Sequence, residues 1–252
     1  VETGRASNAM AVVAVYSVKG GVGKTTMAAN LAWCAAAISK RETLLWDLDA
    51  SGGAGFLLGV DARKKRSADS IFSLETDPAK LIRKTGVPRL DLLPADESIR
   101  ALDAQLLGIG KKKRVAKLTA ALSKRYDRII FDCPPVLNEL SAQVVRAADL
   151  VIVPIPPSPL SARAFEMVVE EVQSHGAGHP PILPVLSMLD MRRSLHKAAR
   201  EANAKWPAIP QSSAIEQCAV RQMPVGAFAP ASPGAQAFKK LWTAIERKLA
   251  AK

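Results

Sequence analysis

Residues 11–26 read Ala-Val-Val-Ala-Val-Tyr-Ser-Val-Lys-Gly-Gly-Val-Gly-Lys-Thr-Thr. Ala11 to Ser17 is a continuous apolar run of the kind carried by a buried parallel strand. The Ala-rich stretch Met27 to Ser39 predicts a helix. Between them, glycines allow backbone N–H groups to converge on phosphate oxygens, and the helix N-terminus adds a favourable dipole. The strict pattern G-x-x-x-x-G-K-[ST] places its first glycine one residue before Lys19, where this chain has Val18. The remainder, Gly20-Gly21-Val22-Gly23-Lys24-Thr25-Thr26, lies in the strand–loop–helix context the pattern requires. Read chemically, Lys24 reaches the β- and γ-phosphates of a nucleotide and the Thr25 hydroxyl ligates Mg²⁺. The plainer alternative is a glycine turn between strand and helix.

The rest of the chain repeats that alternation. Strands are expected at Thr43 to Leu48, Leu90 to Pro94, Arg128 to Asp132, Leu150 to Ile155 and Ile182 to Met188. Helices are expected at Val115 to Lys124, Ser141 to Ala148, Ala162 to Gln173, Ser194 to Ala204 and Ala235 to Ala250. Continuous apolar strands separated by helices imply a mostly parallel sheet covered on both faces, a doubly wound α/β fold with ligands at the carboxyl ends of the strands. No repeat or long linker interrupts it, so residues 10–252 are expected to form a single domain. Ser7-Asn8-Ala9 before Met10 reads as a protease scar, and residues 1–9 are set aside as an expression-tag remnant.

Lys19 is a second lysine at the head of the loop, giving K-G-G-x-G-K-T, the deviant Walker A signature. Leu44-Leu45-Trp46-Asp47-Leu48-Asp49 is a strand ending in Asp-x-Asp. Tyr126-Asp127-Arg128-Ile129-Ile130-Phe131-Asp132-Cys133-Pro134-Pro135 fits Y-D-x-I-I-x-D-x-P-P. In this order and spacing the three motifs resemble the ParA/MinD family of ATPases, ParA most of all, over nearly all of Met10 to Lys252. The resemblance implies an ATP- and Mg²⁺-dependent ATPase whose slow turnover a partner protein stimulates. Asp49 matches the residue that orients the attacking water. Lys19 matches the residue that reaches the nucleotide of the other subunit in an ATP-bound homodimer, as an arginine finger would. Asp132, ending a strand beside the loop, is expected to hold Mg²⁺ through water. Asp47 either supports the metal shell or caps the loop that follows it.

Three departures stand out. Where relatives continue D-x-D-P-Q-G-N, this chain has Asp49-Ala50-Ser51-Gly52-Gly53-Ala54-Gly55, expected to loosen that loop. The first strand begins right after Met10, so the N-terminal helix-turn-helix of some plasmid relatives, and with it sequence-specific operator binding, is not expected here. Pro210-Gln211-Ser212-Ser213-Ala214-Ile215-Glu216 lacks arginines that help relatives bind DNA, although Arg221 lies close by. Pro210 and Met188 to Asp190 are candidate adenine contacts from their place at strand ends.

Composition narrows the partners. Hydrophobic residues at 48% exclude wholesale disorder. The formal net charge of +12 calls for an anionic partner. Basic clusters occur at Arg63 to Arg66, at Lys111 to Arg114, and on Arg192, Arg193, Lys197 and Arg200, the last three at one-face helical spacing. Any one cluster alone reads as a solvated face. Together in such a chain they favour non-specific double-stranded DNA, with Arg192, Arg193, Lys197, Arg200 and Arg221 as candidate contacts. The rival surface is a membrane, through Phe238, Leu241, Trp242, Ile245 and Leu249 on one face of a basic helix, as in MinD relatives. Packing of that helix on the sheet is the plainer reading, so membrane binding is not expected. Three cysteines are too few and scattered for a disulfide scaffold or zinc site. The three histidines lack metal spacing, and Trp33 and Trp46 read as core. The expected setting is cytoplasmic and nucleoid-associated. The expected partner is a ParB-like stimulator or a cargo adaptor, and the cargo a plasmid, chromosome or protein cluster.

Overall fold

A computed structural model describes residues 10–60, 80–95, 113–174, 176 and 178–251. Among them eight strands form one sheet: β1 (Ala11–Val15), β2 (Thr43–Asp47), β3 (Arg83–Lys84), β4 (Leu90–Leu93), β5 (Arg128–Asp132), β6 (Leu150–Ile155), β7 (Ile182–Leu189) and β8 (Ala208–Pro210). Their spatial order is β3-β4-β2-β5-β1-β6-β7-β8, parallel throughout except for the antiparallel edge strand β3. Each parallel pair needs a crossover, and the helices supply it: α1 (Lys24–Trp33), α2 (Gly53–Leu57), α3 (Arg114–Leu122), α4 (Glu139–Ala147), α5 (Pro159–Ser174), α6 (Ser194–Ala202), α7 (Ser213–Arg221), α8 (Val225–Phe228) and α9 (Pro233–Ala250).

Side chains alternate across the strands, so two separate cores form. On one face, Val12, Ala14, Trp46, Ile129 and Phe131 pack under α3, α4 and α5. On the other, Val13, Val15, Leu45 and Ile130 pack under α1 and α9. Burial on both faces is why these strands read as unbroken apolar runs.

Register positions the site. Val15 lies opposite Asp132 of β5 and Ile152 of β6, while Asp47 of β2 lies opposite Asp132. Three neighbouring strands therefore deliver Asp47, Asp132 and the glycine loop to the carboxyl end of the sheet.

The terminal helix answers the membrane alternative. Phe238, Leu241, Trp242 and Ile245 are buried in the second core. Trp242 Nε1 donates to Ser39 Oγ at 2.8 Å, and Arg128 forms a two-pronged ion pair with Glu246 at 2.8 and 2.9 Å. The apolar stripe that would enter a lipid surface is spent on the sheet. No described helix is long and apolar enough to cross a membrane.

Some element bounds differ from the sequence expectation. α1 starts at Lys24 instead of Met27, and after Trp33 it widens into a π-helical turn, Cys34–Ile38. β3, β8, α2, α7 and α8 were not anticipated. Arg63 to Arg66, Lys111 and Lys112 lie outside the described residues, as does His175.

Candidate nucleotide site

The loop between β1 and α1 turns on Gly21 (φ 70°) and Gly23 (φ 88°), left-handed conformations that glycine adopts without strain. Gly23 is the N-cap of α1 and provides no side-chain cap, so the first-turn amides face the loop. The loop is braced from β7: Ser187 Oγ donates to the Val22 carbonyl at 3.1 Å. The Met188 methyl lies 3.3 Å from where a Gly23 Cβ would stand.

Lys24 is buried, and its Nζ donates to the Lys19 carbonyl at 3.1 Å. Desolvation lowers its pKa, and the nearby Asp132 and Asp49 charges oppose that shift. Lys19 Nζ in turn donates to Ser161 Oγ at 2.9 Å and Ser158 Oγ at 3.4 Å.

The two buried aspartates differ. Asp47 is fully buried, and both its oxygens are engaged: Oδ1 accepts from Asp49 N–H and Oδ2 from Ala54 N–H, each at 3.0 Å. Burial pushes its pKa up to about 7, against the pull of those backbone donors. This is loop-capping geometry, and it ties down the segment whose Gly-Gly sequence suggested looseness. A Cβ on Gly53 would stand 3.1 Å from Thr25 Cγ2, so the loop packs tightly against the start of α1. Asp49 is half-buried, with Oδ1 accepting from Ser51 N–H at 3.0 Å. Asp132 is also fully buried, yet neither of its carboxylate oxygens has a hydrogen-bond partner among the described residues. Burial, then the Asp47 charge, raises its pKa well above the carboxylate range, and the Thr25 hydroxyl and Lys24 offset part of the rise. A buried carboxylate pair of this kind suits a divalent cation, which would satisfy the free oxygens and relieve the repulsion.

Beside the loop lies a cavity of about 400 Å³, lined by Val22, Gly23, Met188, Pro210, Ile215 and Phe238 among others. Its apolar walls suit a flat heterocycle next to a phosphate cradle. Of the candidate base contacts, Met188 and Pro210 line it, and Asp190 does not. Asp190 instead pairs with Arg192 at 2.9 Å, which draws its pKa down to about 2, and its N–H donates to His196 Nδ1.

The basic residues are only partly brought together. Arg193 is the N-cap of α6 and not part of its helical face. Arg193, Lys197 and Arg192 are exposed, whereas Arg200 is half-buried with Nη1 on the Trp206 carbonyl at 2.5 Å. The spacing that placed Arg200 on a shared outward face is therefore corrected: the guanidinium turns back onto its own chain. Arg221 is exposed, stacked over the Phe228 ring at 5.0 Å.

The sequence did not single out Ser158, Ser161, Ser187 or Gly53. Ser-Pro before a helical run marks a helix start and could have flagged Ser158 as a cap. Contacts across 139 to 165 residues leave no local trace.

Comparison with known proteins agrees with this geometry. The AAA domain family model matches residues 10–177. The chain is 30% identical to the sporulation initiation inhibitor protein Soj of Bacillus subtilis, over 91% of this chain and 96% of that protein. It is 28% identical to the chromosome partitioning protein ParA of Caulobacter vibrioides, over 93% of each. In fold it matches the septum site-determining protein MinD of Pyrococcus horikoshii complexed with Mg-ADP, with a TM-score of 0.76 at 22% identity over 95% of this chain and 97% of that one. A glycine loop carrying both Lys19 and Lys24, set at the carboxyl end of the sheet that also presents Asp47 and Asp132, together with these relatives, makes the chain a P-loop ATPase of the ParA/MinD family.

Proposed function

We propose that this ATPase binds ATP with Mg²⁺ and closes into an ATP-bound homodimer that holds double-stranded DNA without sequence preference. Hydrolysis then releases the DNA, and the cycle positions a plasmid, a chromosome or a protein cluster on the nucleoid. The observation that carries the reading is the buried carboxyl group of Asp132 beside Thr25 and the glycine loop, whose oxygens make no hydrogen bond among the described residues. Thr25 and Asp132 would hold the metal, with Asp47 fixing the loop behind them. Mg²⁺ supplies positive charge against the phosphate oxygens.

The protein's own residues do the rest. The loop amides and Lys24 fix the phosphates. Asp49 orients the attacking water. Lys19 of one protomer reaches the nucleotide of the other, so turnover depends on assembly. Exposed Arg192, Arg193, Lys197 and Arg221 supply phosphate contacts, and dimerisation doubles their number on one particle. The partner that stimulates hydrolysis is ParB-like or a cargo adaptor, in keeping with relatives that carry chromosome-partitioning names.

The test is parallel co-sedimentation with plasmid DNA and with anionic liposomes, under ATP, ADP and no nucleotide. ATP-dependent retention on DNA that falls steeply with salt is the expected result. Retention on liposomes alone overturns the DNA reading.

A further inference from the structure

β7 is irregular where it meets the cavity. Its pairing with β8 shifts register between Leu186 and Leu189. Met188, inside that shift, has φ 53°, a left-handed conformation that is costly without glycine. Its side chain lines the cavity. The chain just beyond is pinned from α6: His196, in the first turn of that helix, accepts the Asp190 N–H on Nδ1 at 2.9 Å.

That bond fixes the imidazole. A ring nitrogen that accepts from an N–H carries no proton, so the proton of the neutral ring sits on Nε2. The ring is buried, with 4% of the residue exposed, and it lines the cavity. Its Nδ1 is spent on Asp190, and its Nε2 makes no hydrogen bond among the described residues. Ser187 is the other buried polar side chain on the cavity wall, and its hydroxyl is spent on the Val22 carbonyl. Arg193, Gln211 and Glu216 also line the cavity but are exposed. His196 therefore offers what the other side chains do not: a buried N–H donor, held in one orientation and left unused.

We infer that His196 is a specificity-determining residue of the nucleotide site, its Nε2–H donating to a ring nitrogen of the purine base. Purine ring nitrogens are acceptors, and a bound base supplies the partner that Nε2 lacks. The Asp190 N–H sets the tautomer, so the ring presents a donor to the base and not an acceptor. A site built this way rejects a ligand that lacks the matching acceptor, because the donor is then left buried and unpaired. The inference rests on the reading of the cavity as the nucleoside end of an ATP site.

The test is titration of the full chain, in Mg²⁺, with ATP and with three deaza analogues of ATP. Each analogue replaces one acceptor nitrogen of the base (N1, N3 or N7) by C–H. Wild type should bind at least one of them about tenfold more weakly than ATP. His196→Phe keeps a ring in place and removes the donor, so it should bind that analogue and ATP alike. A merely structural histidine would weaken all four ligands together and leave their ratios unchanged. That result, or equal binding of all four by wild type, overturns the inference. Histidine ¹⁵N spectra of the wild type need no variant to fold. The His196 Nε2 resonance should move on adding Mg²⁺-ATP, and an unmoved resonance overturns the assignment. Wild type that binds ATP but fails these readouts loses His196 alone, whereas wild type that binds no ATP loses the nucleotide site as well.

Discussion

Asp132 carries two fully buried oxygens that make no hydrogen bond among the described residues, with the Thr25 hydroxyl and Lys24 nearby. A buried carboxyl group without a hydrogen bond costs the fold stability whether or not it is ionised, which is the pattern expected of a position kept for a ligand. Asp132→Asn should raise the stability of the nucleotide-free protein by about 1 kcal/mol, because a neutral amide replaces a carboxylate that burial and Asp47 disfavour. The same variant should lose most of the thermal shift that Mg²⁺-ATP gives the wild type. Melting curves with and without Mg²⁺-ATP check both halves, and a lower melting point of the free variant contradicts the account. Lys24→Ala should abolish ATP binding in titration calorimetry, since a bare methyl neither reaches the phosphates nor replaces the charge. At this scale the site was legible wherever one segment carries its own chemistry. The glycine loop, Asp49 and Asp132 stand in short, ordered motifs. The serines beneath Lys19 were not legible, because the pairing is made by β1 and β6 lying side by side.

The elements were legible in proportion to their length. β1, β2, β5, β6 and β7 are apolar runs because both of their faces are covered, and α5 and α9 are long enough to show a stripe. β3 and β8 span two and three residues, too short for any period to emerge. α2 begins at a glycine pair that propensity alone would assign to a loop, and the Asp47–Ala54 bond holds its first turn. α8 depends on a close approach. A Cβ on Gly226 would stand 2.1 Å from Trp33 Cζ3. Gly226→Ala should therefore destabilise the fold by about 1–3 kcal/mol through overpacking, measured by urea denaturation. A substitution without effect would mean that Trp33 swings aside freely. Removing α9 from Phe238 onward should abolish folding and not merely membrane contact, because it strips four buried side chains and strands Arg128 without Glu246.

For the whole molecule, the alternation of apolar strands and helices gave the doubly wound layer, and the motifs gave its active edge. The strand order that seats β1 between β5 and β6 is a property of the assembled sheet. The charge of +12 pointed to an anion without locating it, and the Arg200–Trp206 bond shows why: spacing on a helix does not say which guanidinium a nearby carbonyl captures. Asp49→Ala should hold the protein on DNA in the ATP state by slowing hydrolysis about a hundredfold or more, a loss in the range expected for a general acid–base group. Single-turnover hydrolysis and DNA retention after ATP washout check it. Wild-type cycling would remove Asp49 from the mechanism.

The bond from Trp242 to Ser39 joins residues 203 positions apart. It fastens the turn that continues the phosphate-loop helix to a helix translated long after it. A ribosome-bound chain can thus carry every phosphate-binding residue and still lack the layer that holds α1 in place. Domains fold as units during synthesis. Nucleotide capture by the nascent polypeptide is therefore expected to await the emergence of α9 from the exit tunnel.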